Sequence, residues 1–166
     1  MSQPSVSRAL HFISKLIVDV KGSEICFPSS AQDVSDTKKG FYTKFGIKGT
    51  IGAIDCTHIG IVSPSSTDAT TPLSLFMNRE GFYSLNVEAV CDHRLLFKAR
   101  NTIDRAFGVS KSRFRCLSKH RILHYSPQKA SLIIYACTIL HNILLKHGVA
   151  ADLGFEEILE ESQDTR

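Results

Sequence analysis

Long hydrophobic runs are missing from this sequence, as are C-x-x-C pairs, internal repeats and low-complexity tracts. The most apolar stretch, 131–145, is interrupted by Thr138, His141 and Asn142, so it predicts a buried helix rather than a membrane span. The first residues are polar, and no small-residue cleavage site follows an apolar stretch, which argues against a signal peptide. We expect a soluble, intracellular protein that makes no contact with a membrane.

Cysteines are few and widely spaced, five in total. An odd number without close spacing argues against a disulfide framework and against a cysteine-based zinc site. Most of the five lie within apolar stretches, so we expect small core residues with reduced thiols. Cys137 and His141 are four residues apart on a predicted helix, and they could share a metal ion if two further ligands lay nearby.

The overall composition is that of one ordinary folded domain. The chain has 166 residues, of which 43% are hydrophobic, and 20 basic side chains stand against 16 acidic ones. The hydrophobic content is too high and the net charge too low for most of the chain to be disordered. A chain of this length can form one core, with little left over for a second domain.

Charge is distributed unevenly along the chain. Residues 94–121 hold nine basic side chains and a single acidic one, Asp104, whereas residues 152–166 hold six acidic side chains and one basic one. A basic block interrupted by Phe107 and Phe114 is typical of a surface that binds a polyanion such as a nucleic-acid backbone. A solvated helix face is the alternative. We expect the acidic end to be frayed and able to shield the basic surface.

Hydrophobic periodicity predicts a mixed α/β arrangement. Ser126 as N-cap and Pro127 as first residue mark the start of the last helix. The polar, turn-rich segment 28–45 is typical of a connecting segment or a short helix. The predicted helices are 5–20, 101–117 and 127–146, and the predicted strands are 50–62, 82–90 and 95–97.

Two carboxylates stand out from their surroundings. Asp55 lies in the middle of a strand predicted to be buried, where a charge is costly unless it is paired, protonated or bound to a metal. Asp104 is the single acid of the basic block. If both converged on one Mg²⁺ or Mn²⁺ ion, they could support phosphodiester cleavage. The alternatives are a strand-end aspartate bonded to backbone donors for Asp55 and an intrahelical ion pair for Asp104.

Longer motifs carry a resemblance to a known family, in the order in which the family has them. They are SQPSVSRAL (2–10), GAIDCTHIGI (52–61), NREGFYSLNVEAVCD (78–92), RNTIDRAFGVSKSRFRCL (100–117) and YSPQKASLIIYACTILHNI (125–143). The first resembles the closing helix of a helix-turn-helix, and the others resemble the nuclease domain of PIF/Harbinger-type transposases. The resemblance implies an RNase H-like fold, an Asp-Asp-Glu triad that holds divalent metal, and DNA as substrate. It also implies a Myb-like DNA-binding partner and a nuclear location with some cytoplasmic pool.

The triad that this resemblance implies is incomplete here. Asp55 matches the family's first metal-binding carboxylate, and Asp104 stands where the family has Glu, one methylene longer. The second Asp belongs to a block, including a further core strand, that is missing between Phe97 and Arg100. The residues that we expect to contact nucleic acid are Arg100, Arg105, Lys111, Arg113 and Arg115.

We therefore predict an incomplete RNase H-like core that retains three strands with helices packed on them. Its parts would be a helix-turn-helix remnant (1–22), the nuclease domain (46–148) and an acidic tail (149–166). The function implied by the family is metal-dependent hydrolysis of DNA, with catalysis impaired by the missing ligand. The alternatives are a non-catalytic remnant that binds DNA or protein, and a chain that does not fold cooperatively.

Overall fold

The computed structural model describes residues 2–64, 72–99, 104–118 and 121–149, with no side chains described at 98, 99, 104 and 105. Within these ranges the chain forms four α-helices, three β-strands and three short 3₁₀ turns. The helices are α1 (Gln3–Lys21), α2 (Ala31–Phe45), α3 (Asp104–Arg113) and α4 (Pro127–Lys146). The strands are β1 (Ala53–Gly60), β2 (Ser84–Cys91) and β3 (Phe97–Ala99). The predicted mixed α/β arrangement is confirmed, and the predicted tail lies almost wholly outside the described residues.

The sheet is antiparallel, with the strands in the order β1-β2-β3. β1 and β2 pair along their full eight residues in a register that sets Asp55 opposite Ala89. β3 adds only three residues and joins β2 through an irregularity at Val90 and Cys91. Beyond β1, Ile61 forms an isolated parallel bridge with Leu123, which fixes the segment that precedes α4 against the sheet.

Alternation along β1 places Asp55 and Ile59 on the helix-covered face of the sheet and Ile54 and His58 on the opposite face. Ile59 is buried, but the side chain of Ile54 is 67% exposed. The prediction of a wholly buried strand is therefore wrong for one face. The reason is that, among the described residues, helices cover one side of the sheet only, as in many antiparallel sheets.

The core consists of two clusters on the covered face, both built around sheet residues. In the larger cluster, Ile59 and Ile61 pack against residues from α4 and the segment that precedes it, namely Leu117, Leu123, Ala130, Ile133, Ile134 and Cys137. In the smaller one, Ala89, Cys91 and Phe97 pack against Ala106 and Phe107 of α3. Burying one such isoleucine or phenylalanine contributes about 2 kcal/mol. By length and composition alone, α4 is long and apolar enough to cross a membrane, and its position in the core accounts for this apolar character.

α2 lies in the segment 28–45, whose sequence is compatible with either a connecting segment or a short helix. Residues 31–45 form a full 15-residue helix. Ser30 caps its start by accepting a hydrogen bond of 3.0 Å from the Asp33 N–H, and Gly46 ends it with φ at 73°. The helix buries only Thr37 and Phe41, and this small apolar contribution explains why the hydrophobic periodicity of the segment is weak.

A single buried amide connects α4 to the sheet. The Phe97 N–H donates to Asn142 Oδ1 at 2.8 Å, and Asn142 Nδ2 donates to the Phe97 carbonyl at 2.6 Å. Asn142 Nδ2 also donates to the Glu24 carbonyl at 3.0 Å. The neighbouring His141 is fully buried, and its Nε2 lies 3.2 Å from the Leu95 carbonyl oxygen. These two residues therefore hold the end of the β2–β3 turn and the start of β3 against α4.

Replacing Asn142 should be among the most damaging single changes. Asn142→Ala would leave the main-chain N–H and C=O of Phe97 without their side-chain partner in the core. We expect the free energy of unfolding to fall by about 3 kcal/mol, measured by urea denaturation. Asn86→Ala on the exposed sheet face is the matched control and should change it by less than about 0.5 kcal/mol. An equal loss of unfolding free energy in both variants would contradict the proposed link between α4 and β3.

Protonation of His141 should destabilise the fold in acid. Burial lowers the pKa of His141 from 6.5 to about 4, an effect opposed by the Leu95 carbonyl and reinforced by Arg113. Between these pH values the unfolded chain binds a proton that the folded chain does not. The free energy of unfolding should therefore decrease as pH falls through this window, by up to about 3 kcal/mol.

The measurement is urea denaturation at a series of pH values. The exposed His124→Gln variant should show the same acid-dependent loss as the wild type, because its imidazole lies outside the core. His141→Gln should lose most of that dependence. If His141→Gln kept the pH dependence of unfolding seen in the wild type, the loss of stability in acid would belong to other groups.

Candidate metal and nucleic-acid site

Asp55 occupies the centre of β1 on the helix-covered face of the sheet. Its carboxylate oxygen Oδ2 is buried and has no hydrogen-bond partner within the part of the chain that the structure describes. An unpartnered buried oxygen of this kind costs about 1–3 kcal/mol or more. The predicted backbone donors are thus not found at this oxygen, and the carboxylate is open to another ligand.

The start of α3 lies on the same side of the sheet as Asp55. Asp104 is the first residue of α3, and two residues later Ala106 packs in a cluster with Ala89, the cross-strand partner of Asp55. The helix also contacts β1 itself. The fold therefore brings the backbone of the two predicted ligands to one side of the sheet. The Asp104 side chain lies outside the described residues.

The donor chemistry at Asp55 fits a hard divalent cation. Mg²⁺ prefers oxygen ligands and is often held by one or two carboxylates together with phosphate oxygens and water. Across residues 2–64, 72–99, 104–118 and 121–149, where side chains are described, no group of three or more His, Cys, Asp or Glu residues is gathered for a metal. The pairing of Cys137 with His141 as metal ligands gains no support from that result. Among the described side chains, Asp55 is thus an available carboxylate without two further ligands gathered beside it.

Two exposed arginines line a shallow pocket near the end of α3. Arg115 lies in the 3₁₀ turn Arg115–Leu117, and Arg121 precedes the Leu123 bridge to β1. The pocket has a volume of about 230 Å³ and is lined by Arg115, Cys116, Arg121, Ile122 and Leu123. Two guanidinium groups at one concave surface favour an anion such as phosphate.

The other residues predicted to bind nucleic acid are less available or are not described. Arg113 donates a hydrogen bond to the Val149 carbonyl, and burial lowers the pKa of its guanidinium. Lys111 is half-buried on α3. Arg100 and the side chain of Arg105 lie outside the described residues. Sequence reasoning did not select Arg121, although its place as the last base of the block at 94–121 was a usable signal.

The class of protein is indicated by a family profile. The profile described as "DDE superfamily endonuclease" matches residues 94–142, a range that runs from before β3 through α3 and most of α4. This range contains Asp104 and the predicted basic block. The resemblance noted in the sequence is therefore shown for this part of the chain.

Particular relatives extend the match over most of the chain. "Putative nuclease HARBI1" of Bos taurus is 28% identical, and the Homo sapiens and Xenopus laevis proteins of that name are each 27% identical. Each alignment covers 90% of this chain and 61% of the relative. The chain is thus a distant homologue of these proteins and spans about three-fifths of their length. No solved structure matches it.

The alignments also show that residues are absent from within the matched range. They span 218 positions, whereas 90% of the 166 residues of this chain is about 149, so about 69 positions of each alignment have no residue here. A difference of this size is consistent with the predicted missing block. Its location between Phe97 and Arg100 stays a prediction.

Proposed function

We propose that this protein acts on DNA as a Harbinger-type nuclease, with an incomplete RNase H-like core and a divalent-metal-dependent reaction centred on Asp55. The observation that supports this most directly is the buried Oδ2 of Asp55, which has no hydrogen-bond partner among the described residues and lies on the sheet face that α3 covers. The homology to nucleases agrees with a phosphodiester substrate. A nuclear location and a Myb-like partner are further parts of the proposal, and both rest on the resemblance alone.

The proposed roles follow from where the side chains and elements lie. Asp55 and Asp104 would hold the cation, which when bound activates water and stabilises the leaving oxygen of the phosphodiester. Arg115 and Arg121 would hold backbone phosphates on the adjoining surface. Burial around Asp55 excludes water from its free oxygen and so strengthens its attraction for a cation.

A second candidate function is DNA binding without cleavage. It is favoured by the count of ligands, since the described side chains provide no cluster of three. The Asp104 side chain is also shorter by one methylene than the Glu that the family has at this position, so its carboxylate reaches less far by more than about 1 Å. A ligand displaced by this amount disturbs the octahedral coordination of Mg²⁺. Both candidate functions use the arginine surface. They differ in whether the protein also cleaves DNA with Asp55 as a metal ligand.

Asp55→Asn separates these candidates. If the protein is a nuclease, Mg²⁺ or Mn²⁺ should support nicking of supercoiled DNA by the wild type. The nicking rate of the variant should then be lower by about 100-fold or more. The variant should keep its affinity for DNA in a binding assay without metal. It should also be slightly more stable to urea, because removing the charge relieves the unpartnered buried oxygen.

The outcomes are distinct for each proposal. Equal nicking by wild type and Asp55→Asn would indicate a contaminating nuclease and would contradict the catalytic proposal. Binding by both proteins without metal-dependent nicking would establish the second candidate. Glu88→Gln, on the exposed face of β2, is a matched control that removes a carboxylate elsewhere on the same sheet.

The arginine pocket can be tested independently of cleavage. Arg115→Ala combined with Arg121→Ala should weaken DNA binding by about tenfold at moderate salt, equally for unrelated sequences. The slope of log affinity against log salt should fall by about two, as expected for two lost phosphate contacts. Lys38→Ala combined with Lys39→Ala on α2 makes the same change in net charge and should have little effect. An equal effect of both pairs would show non-specific attraction instead of a phosphate-binding surface.

A further inference from the structure

Two cysteines from distant parts of the sequence meet at the end of α3. Cys116 lies in the 3₁₀ turn that follows this helix, and Cys137 lies in the middle of α4. The turn is seated on α4, because Leu117 and Cys137 belong to the same buried cluster. Each thiol shifts the pKa of the other, as expected for two sulfurs that lie side by side where the turn meets α4.

The two thiols differ in exposure and in acidity. Cys116 is exposed and lines the pocket between Arg115 and Arg121, whereas Cys137 is buried at 8% exposure. The interaction with Cys137 lowers the pKa of Cys116 to about 7, and the same interaction together with burial raises the pKa of Cys137. Near neutral pH about half of Cys116 is the thiolate, which is the form that reacts with oxidants.

The other cysteines lack this combination of features. Cys56 is exposed, but desolvation and the charges of Glu88 and Asp55 raise its pKa. Cys91 is fully buried, and desolvation raises its pKa to about 12. Cys26 is exposed and has no described thiol neighbour that could resolve an oxidised sulfur. The chain thus contains one accessible thiol with a second thiol beside it.

We propose that Cys116 and Cys137 form a reversible dithiol–disulfide pair that responds to hydrogen peroxide at the edge of the arginine pocket. An accessible, reactive cysteine next to a resolving cysteine is the usual arrangement of redox-sensing sites. The disulfide would link the turn after α3 covalently to α4. This proposal concerns thiol chemistry and does not depend on the proposed action on DNA.

The reaction balances with peroxide as the oxidant. The Cys116 thiolate attacks one peroxide oxygen, the O–O bond breaks, and Cys116 becomes a sulfenic acid while hydroxide leaves and is protonated to water. The Cys137 sulfur then loses its proton and attacks the Cys116 sulfur. The S–S bond forms, the S–O bond breaks, and the departing hydroxide takes up a proton as a second water. Two thiols are oxidised by two electrons, and one peroxide is reduced to two waters.

The test is thiol counting on the full reduced chain after brief treatment with stoichiometric peroxide near neutral pH. The wild type has five free thiols. Peroxide should remove two of them from maleimide labelling and lower the intact mass by two hydrogen atoms, and dithiothreitol should reverse both effects. Peptide mass spectrometry should find the Cys116–Cys137 linkage. Oxidation of Cys26 or Cys56 ahead of Cys116, or no loss of the two hydrogens, would overturn the proposal.

Variants separate the roles of the two sulfurs. Cys137→Ser should stop the reaction at a Cys116 sulfenic acid, which dimedone traps, and Cys116→Ser should leave Cys137 reduced. Since Cys137 is buried and its replacement can disturb the core, the exposed Cys116→Ser variant provides the independent result. Cys26→Ser is the matched control and should form the disulfide as the wild type does. Oxidation of Cys137 in Cys116→Ser at the wild-type rate would contradict the assignment.

Discussion

The side-chain amide of Asn142 is the contact on which this fold depends. β3 is only three residues long and pairs with β2 along one edge. Asn142 gives Phe97 the donor and the acceptor that a neighbouring strand would otherwise give. Its further bond to the Glu24 carbonyl joins the segment after α1 to the same point. Because a buried amide is costly when a partner is lost, this network favours one relative arrangement of the sheet, α4 and the N-terminal segment.

The sequence predicted the parts of the fold that follow from local patterns. The last helix was placed at its observed bounds, because Ser126 and Pro127 mark its start and a long apolar stretch follows. Asp55 lies on one face of β1 with Ala53 and Thr57, an arrangement that follows directly from the two-residue period of a strand. The approach of Arg115 to Arg121, and of Cys116 to Cys137, could not be predicted in this way. Both depend on the turn between α3 and α4, whose path is fixed by long-range contacts such as the Leu123 bridge to Ile61.

The three-stranded sheet leaves one edge of β1 open within the described residues. In the described part of the chain, β1 pairs with β2 on one side, and on the other side only the Ile61–Leu123 bridge beyond its end provides a strand contact. Ile54 on this strand is 67% exposed. The predicted missing block would supply a further core strand, and about 69 alignment positions of the relatives have no residue here. An unpaired edge with exposed apolar side chains favours self-association, so we expect the open edge of β1 to lower the solubility of the chain.

The proposed DNA binding and the proposed DNA cleavage place unequal demands on the structure. Binding of phosphates by Arg115 and Arg121 depends on positive charge at a surface, which acts over several ångströms and tolerates small displacements. Cleavage requires ligands and reacting atoms placed to within about half an ångström, and a metal site loses most of its rate when one ligand is absent or shortened. Asp55 keeps a buried oxygen that packing alone does not explain, since the neighbouring positions on its face, Ala53 and Thr57, carry uncharged side chains. The Asp55 carboxylate, whose Oδ2 has no partner among the described residues, supports the proposed cation site, and DNA recognition is the part of the proposed function that demands least of the ligand set.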